Sequence, residues 1–214
     1  MLTQLLDWLA LALEVFNQSN HRIFWNLFLA LIPLILSFWL FRPLQSPSGM
    51  WWVICLVFIA FLPNAPYILT DTIHIREIMA RGYPPFIAIF VLIPQYVLFV
   101  WAGFEAYAIA LMRVDNYLKT IKQEKYLVAI NAIAHCLCVV GIYLGRFERF
   151  NSWDLVSQPT TVVSTTLKDL MEIQHLVALA IAFCWLWSLS WLTKRFNISI
   201  FNKIMSSQSG DSSE

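Results

Sequence analysis

Residues Ile23–Phe41 read IFWNLFLALIPLILSFWLF, nineteen positions without a charge, with Trp25 and Trp39 near the two ends and Arg42 stopping the run. A helix needs about 20 predominantly apolar residues to cross the hydrocarbon core, and aromatic side chains favour the two interfaces. This stretch therefore predicts a transmembrane helix, kinked at Pro33, whose ring blocks one helical hydrogen bond. The remainder of the chain has the same character. Of its 214 residues 59% are hydrophobic and 13% charged, where a soluble domain carries about 25% charged residues. The expected class is all-α, a polytopic transmembrane helix bundle forming a single membrane domain over residues 1–205.

Four further spans follow from apolar length, near residues 51–70, 86–112, 126–145 and 175–192. The second is irregular. It meets Pro63 twelve residues after Trp51, and twelve residues of helix measure about 18 Å, short of the hydrocarbon core. Pro63 and Pro66 each lack a backbone donor and disfavour helical geometry at the preceding residue, so Pro63–Tyr67 is expected to be unwound, with Asn64 at or below the interface. Asp71 reads as the cap of a short helix ending near Arg81, with Gly82 as its stop and Pro84 and Pro85 opening the third span, which should kink near Pro94.

Upstream, Thr3, Gln4, Asp7 and Glu14 form one narrow polar stripe between Leu2 and Phe16. The expectation is an amphipathic helix in the interface or against the bundle, with a sixth span reaching towards Asn20 as the alternative. Val162–Ile173 has the pattern of a second surface helix, and Ser206–Glu214 that of a disordered tail. The N-terminus lacks the basic start and cleavage site of a signal peptide. Cys55, Cys136, Cys138 and Cys184 all lie in apolar runs and read as small hydrophobes.

A net charge of +1 excludes the basic field that nucleic-acid binding requires. With five spans, eight Lys and Arg, Arg42 and Lys194 among them, fall on one face and six, including Arg22 and Arg146, on the other. The positive-inside tendency then puts the first face and the C-terminus in the cytoplasm. Parity also places the loops after spans two and four on a common face, whichever way the protein points.

Those two loops carry the polar chemistry. Leu62–His74 reads LPNAPYILTDTIH and Gly145–Leu155 reads GRFERFNSWDL. Both strings resemble the signature stretches of the membrane-protein family catalogued as domain of unknown function 1361. The resemblance covers most of the chain in span layout and implies a multi-pass protein of a bacterial plasma membrane; it carries no catalytic assignment.

From the residues alone, Asp71, His74 and Glu77 share one side of a short helix, opposite Arg146, Arg149 and Asp154. Cross-loop ion pairing would close a polar pocket that includes Asn64 and Asn151 and is roofed by Tyr67, Phe147 and Trp153. Bland readings stand beside each: Asp71 as a cap, the arginines as boundary markers, Asn64 as a satisfier of proline-freed carbonyls. Asp71-x-x-His74 and Glu172-x-x-His175 have the i, i+3 spacing of bundle metal sites, but lack the further carboxylates such sites use, so no metal or other cofactor is expected. Glu105 and His135 are the ionisable residues inside spans. They could pair, or His135 could bond a nearby carbonyl.

Three functions fit this pattern. One is binding or transport of a small solute or lipid head group, motivated by the proline-broken span. A second is an enzyme on a lipid-linked substrate, using Asp71, His74 and Arg146. A third is a scaffold packed through Gly141 and Gly145. The bilayer is the one partner composition demands; oligomeric state is not legible.

Overall fold

The computed structural model describes residues 1–43, 47–150 and 153–210, and every regular element among them is helical. Five helical segments are long and apolar enough to cross a membrane: Leu2–Leu40, Gly49–Met79, Pro85–Thr120, Glu124–Arg146 and Ile173–Ile204. The class and the number of spans agree with the sequence expectation, and the protein is a multi-pass membrane protein. Large side chains such as Phe28, Leu56, Phe90 and Trp185 face outwards from the bundle, as a lipid-facing surface requires.

The expected division between an N-terminal amphipathic helix and span one does not occur. Helix α1 runs unbroken over Leu2–Leu40, 39 residues or about 58 Å. No Gly or Pro interrupts residues 2–32, so nothing local forces a break. Its N-terminal half packs against the bundle. The rings of Trp8 and Phe86 lie 5.4 Å apart, and Ser19 Oγ donates to Gln95 Oε1 at 2.8 Å. Tyr83 Oη donates to Glu14 at 3.0 Å, a bond that holds the phenol above its ordinary pKa. Farther along, Arg113 Nε donates to the Ser37 carbonyl at 3.2 Å. The Ser19–Gln95 and Ser37–Arg113 pairs are both 76 residues apart, so spans one and three run parallel in a single register.

Span two also departs from expectation. The chain stays right-handed helical through both prolines, as α2 (Gly49–Phe61), a two-residue turn, α3 (Asn64–Tyr67), a 3-10 helix (Ile68–Thr72) and α4 (Ile73–Met79). Leu62 keeps helical angles, φ −54 and ψ −39, and Ala65 lies within α3. Proline disfavours this geometry without forbidding it, and neighbouring groups serve the carbonyls it orphans. Ala65 N–H donates to the Leu62 carbonyl at 3.3 Å, where Pro66 cannot. That diversion frees the Phe61 carbonyl, to which Asn64 Nδ2 donates at 3.0 Å. Continued helix, not unwound chain, completes the crossing.

Gly82, at φ +85, ends this segment in the left-handed region that favours glycine. Span three opens with α5 (Pro85–Ile87), widens into a π-helical turn at Ala88–Leu92 just before Pro94, and continues as α6 (Ile93–Thr120); the wide turn is where the kink was expected. Span four is chiefly α7 (Leu127–Arg146). After it come α8 (Asp154–Ser157) and α9 (Pro159–Leu170), the surface helix, which begins three residues earlier than its pattern suggested. Helix α10 covers Ile173–Gly210, far beyond the predicted end at residue 192. Residues 206–210 of the supposed tail continue that helix, and 211–214 lie outside the described residues.

Small residues let spans two, three and four approach closely. A Cβ on Gly141 would lie 2.6 Å from the Pro63 ring, one on Gly145 3.0 Å from Tyr67, and one on Gly103 would overlap Ile68. The glycines of span four are thus consumed by packing inside the chain. Between them Ile68, Leu92, Tyr107 and Leu111 form a core that is essentially solvent-free.

Candidate functional site

Asp71 sits in the 3-10 stretch of span two, one position before the N-cap of α4, and caps nothing: that N-cap is Thr72, without a side-chain bond. The tighter 3-10 winding turns the Asp71 carboxylate across the bundle instead. It is 3% exposed. Arg146 Nη2 donates to Oδ1 at 3.0 Å, and Asn26 of α1 donates to Oδ2. Arg146, the last residue of α7, also reaches Thr70 Oγ1 at 2.7 Å and lies over the Tyr67 ring, 5.1 Å from its centroid. A buried carboxylate without a partner is costly, and here both oxygens are served, one by a charge.

Beside this pair, His74 Nδ1 lies 2.7 Å from Glu77 Oε2 and 3.0 Å from Arg22 Nη1. One ring nitrogen cannot both donate to a carboxylate and accept from a guanidinium. With Nδ1–H directed to Glu77, Arg22 is left to the same carboxylate at 3.6 Å. His74 Nε2 faces Asp71 at 4.0 Å, so the imidazole stands between the two acids.

These groups border a cavity of about 550 Å³ between spans one, two and four. Asn64, Tyr67, Asp71, His74 and Arg149 line it, while Arg146 stands behind Asp71 and Glu77 behind His74. Of the expected roof only Tyr67 lines it; Phe147 and Trp153 are 69% and 50% exposed and do not. Asp154 opens α8, where it accepts from Ser157, and Asn151 lies outside the described residues. Arg149 holds φ 58, a left-handed conformation, while Phe150 N–H donates back to the Leu144 carbonyl at 3.1 Å. That conformation costs a non-glycine residue about 1–2 kcal/mol.

Sequence reasoning missed the contribution of α1: Arg22, Trp25 and Asn26 form one wall. The available signal was Asn26, a lone amide in an otherwise apolar run.

Nearer the opposite end of the bundle, Glu105 and His135 do not meet. Glu105 accepts from Asn197 of α10, and His135 Nδ1 lies against the Asn131 carbonyl with its ring packed among Tyr107, Phe183 and Trp187. Lys194 donates to Asp115 at 2.6 Å and to Asn131 at 2.8 Å, joining spans three, four and five. Glu172 and His175 approach at 3.5 Å. Among the described residues no three His, Cys, Asp or Glu side chains gather in a metal-holding cluster.

A family model described as "Protein of unknown function (DUF1361)" matches residues 25–189, a range that contains Asn26, Asp71 and Arg146. No curated protein and no solved structure matches the chain.

Proposed function

Since the chain belongs to the DUF1361 family of proteins of unknown function, its role must be argued from its own residues, and we propose that it binds a small solute or lipid head group in the cavity beside Asp71. The observation that carries this reading is the buried Asp71–Arg146 pair set against a cavity of about 550 Å³. That size lies within the range of small-molecule sites, which combine apolar walls with a few fixed polar groups. The paired residues come from different spans, so the cost of burying them is borne where three helices could equally have met through apolar contacts.

We place the protein, as a single membrane domain over residues 1–205, in a bacterial plasma membrane with its C-terminus cytoplasmic. The family resemblance and the excess of Lys and Arg on that face support this. Reporter fusions after Lys203 and within residues 147–153 test it, since the two must report opposite compartments.

The binding reading is tested by a thermal-stability screen of the purified protein against small polar solutes, anions and lipids, with Asp71→Ala and Arg146→Ala beside the wild type. A ligand of the folded state at a hundred times its dissociation constant stabilises by about 2.7 kcal/mol. Stabilisation of the wild type but not of the variants supports the site. If no compound stabilises the wild type and both variants simply melt earlier, the cluster is a structural tie.

A further inference from the structure

We propose that the ligand of this cavity is an anionic amphiphile, a phosphate-headed lipid whose head lies between Arg22 and Arg149 and whose chain follows the apolar walls of spans one, two and four. The inference rests on the binding reading above and narrows it to one chemistry.

The first observation is a gradient shared by two helices and closed by a third, apolar wall. Along α1 the lining changes from Arg22 and Asn26 to Leu29, and along span two, read backwards, from Asp71 to Ile59; α7 lines the cavity from Gly145 back to Leu137 with apolar residues alone, and Arg149 follows its polar end. Each covers about 10–18 Å of helix rise. Because α1 runs opposite to span two, the two gradients point the same way, giving a cleft that is polar at one end and apolar at the other. A fully polar solute would leave the apolar end unfilled, and a hydrocarbon would strand the polar end.

The second observation is charge. Around the polar end three guanidiniums, Arg22, Arg146 and Arg149, face two carboxylates, Asp71 and Glu77. Arg146 is committed to Asp71 and Arg22 leans to Glu77, while Arg149 makes no ion pair among the described residues. Glu148, its neighbour in sequence, does not line the cavity. One positive charge at the mouth is therefore unmatched even with His74 neutral, and arginine offers a planar fork suited to phosphate oxygens. The left-handed backbone that presents Arg149 is normally left to glycine, which makes its occupation by arginine a feature to be explained by what it faces.

The test uses the full chain in phosphatidylcholine nanodiscs with four probes: dodecyl phosphate, dodecylphosphocholine, dodecanol and inorganic phosphate. Dodecyl phosphate should bind at least about tenfold more tightly than the other three, the difference one charge-assisted contact makes. Arg149→Gln should lose about that factor while its unliganded melting midpoint stays at the wild-type value, because the side chain is exposed and makes no ion pair among the described residues. Ala60→Phe and, independently, Val140→Trp fill the apolar end and should abolish dodecyl phosphate binding. Equal affinity for inorganic phosphate would overturn the amphiphile and leave the site. Equal affinity for dodecylphosphocholine or dodecanol would overturn the anionic head. If no probe binds while another compound from the stability screen does, this inference falls and the binding reading stands; if none binds in either experiment, both fall.

Discussion

Arg146 Nη2 and Asp71 Oδ1 lie 3.0 Å apart across 75 residues of chain, tying the end of span four to the 3-10 stretch of span two. The side chains are 22% and 5% exposed, so solvent screens the pair weakly. Truncating Arg146 to Ala strands a buried carboxylate and should destabilise by about 3–5 kcal/mol. Asp71→Asn in the same background removes the stranded charge and should recover part of that loss. The melting midpoints of the two singles and the double give the coupling; simple additivity would show that the pair does not form.

Gly141→Ala tests how closely spans two and four approach. The new methyl would stand 2.6 Å from the rigid Pro63 ring, and relief requires backbone movement, with an expected loss of about 1–3 kcal/mol. Gly49→Ala, where a Cβ meets nothing within 4 Å, is the control and should be neutral or slightly stabilising. Equal melting of the two variants would contradict the packing.

Lys194 supports the other end of the bundle. Its side chain is 16% exposed, and its ammonium serves both Asp115 and Asn131. Lys194→Met should destabilise by about 3 kcal/mol because Asp115 is left facing an amide alone. Lys203→Met, on an exposed turn of the same helix, should change stability by no more than about 0.5 kcal/mol. Denaturation of both variants in mixed micelles measures the difference.

The continuity of α1 predicts proximity that an interfacial helix would not allow. Ser19→Cys with Gln95→Cys, in a background with the four native cysteines replaced by alanine, should form an intramolecular cross-link with a short bifunctional thiol reagent, because these side chains touch at 2.8 Å. Ser19→Cys with Lys203→Cys should not. Failure of the first pair would detach the N-terminal half of α1 from span three.

The reading of Asp71 shows where sequence reasoning stops. Position and pattern offered it as a helix cap or as one side of a cross-loop ion pair; it pairs with Arg146, 75 positions away, and also with Asn26, 45 positions away, which no pattern pointed to. Pro63 and Pro66 were expected to unwind the chain; Asn64, which the sequence offered as a satisfier of freed carbonyls, does bond Phe61, and the chain stays helical. Of the two readings offered for His135, the bond to a nearby carbonyl is the one found, at Asn131, and the pairing with Glu105 is not; the partner of Glu105, Asn197, depends on which helix face each presents.

The amino-acid sequence by itself determined the class, the five spans and the common face of the two polar loops, because the length of an apolar run and the parity of crossings are properties of the chain alone. The tertiary structure decided which side chains meet. Successive residues on a helix differ by about 100° in direction, so an acid and its arginine become partners through the rotation and register of two packed helices, which the spacing of residues within either one does not encode.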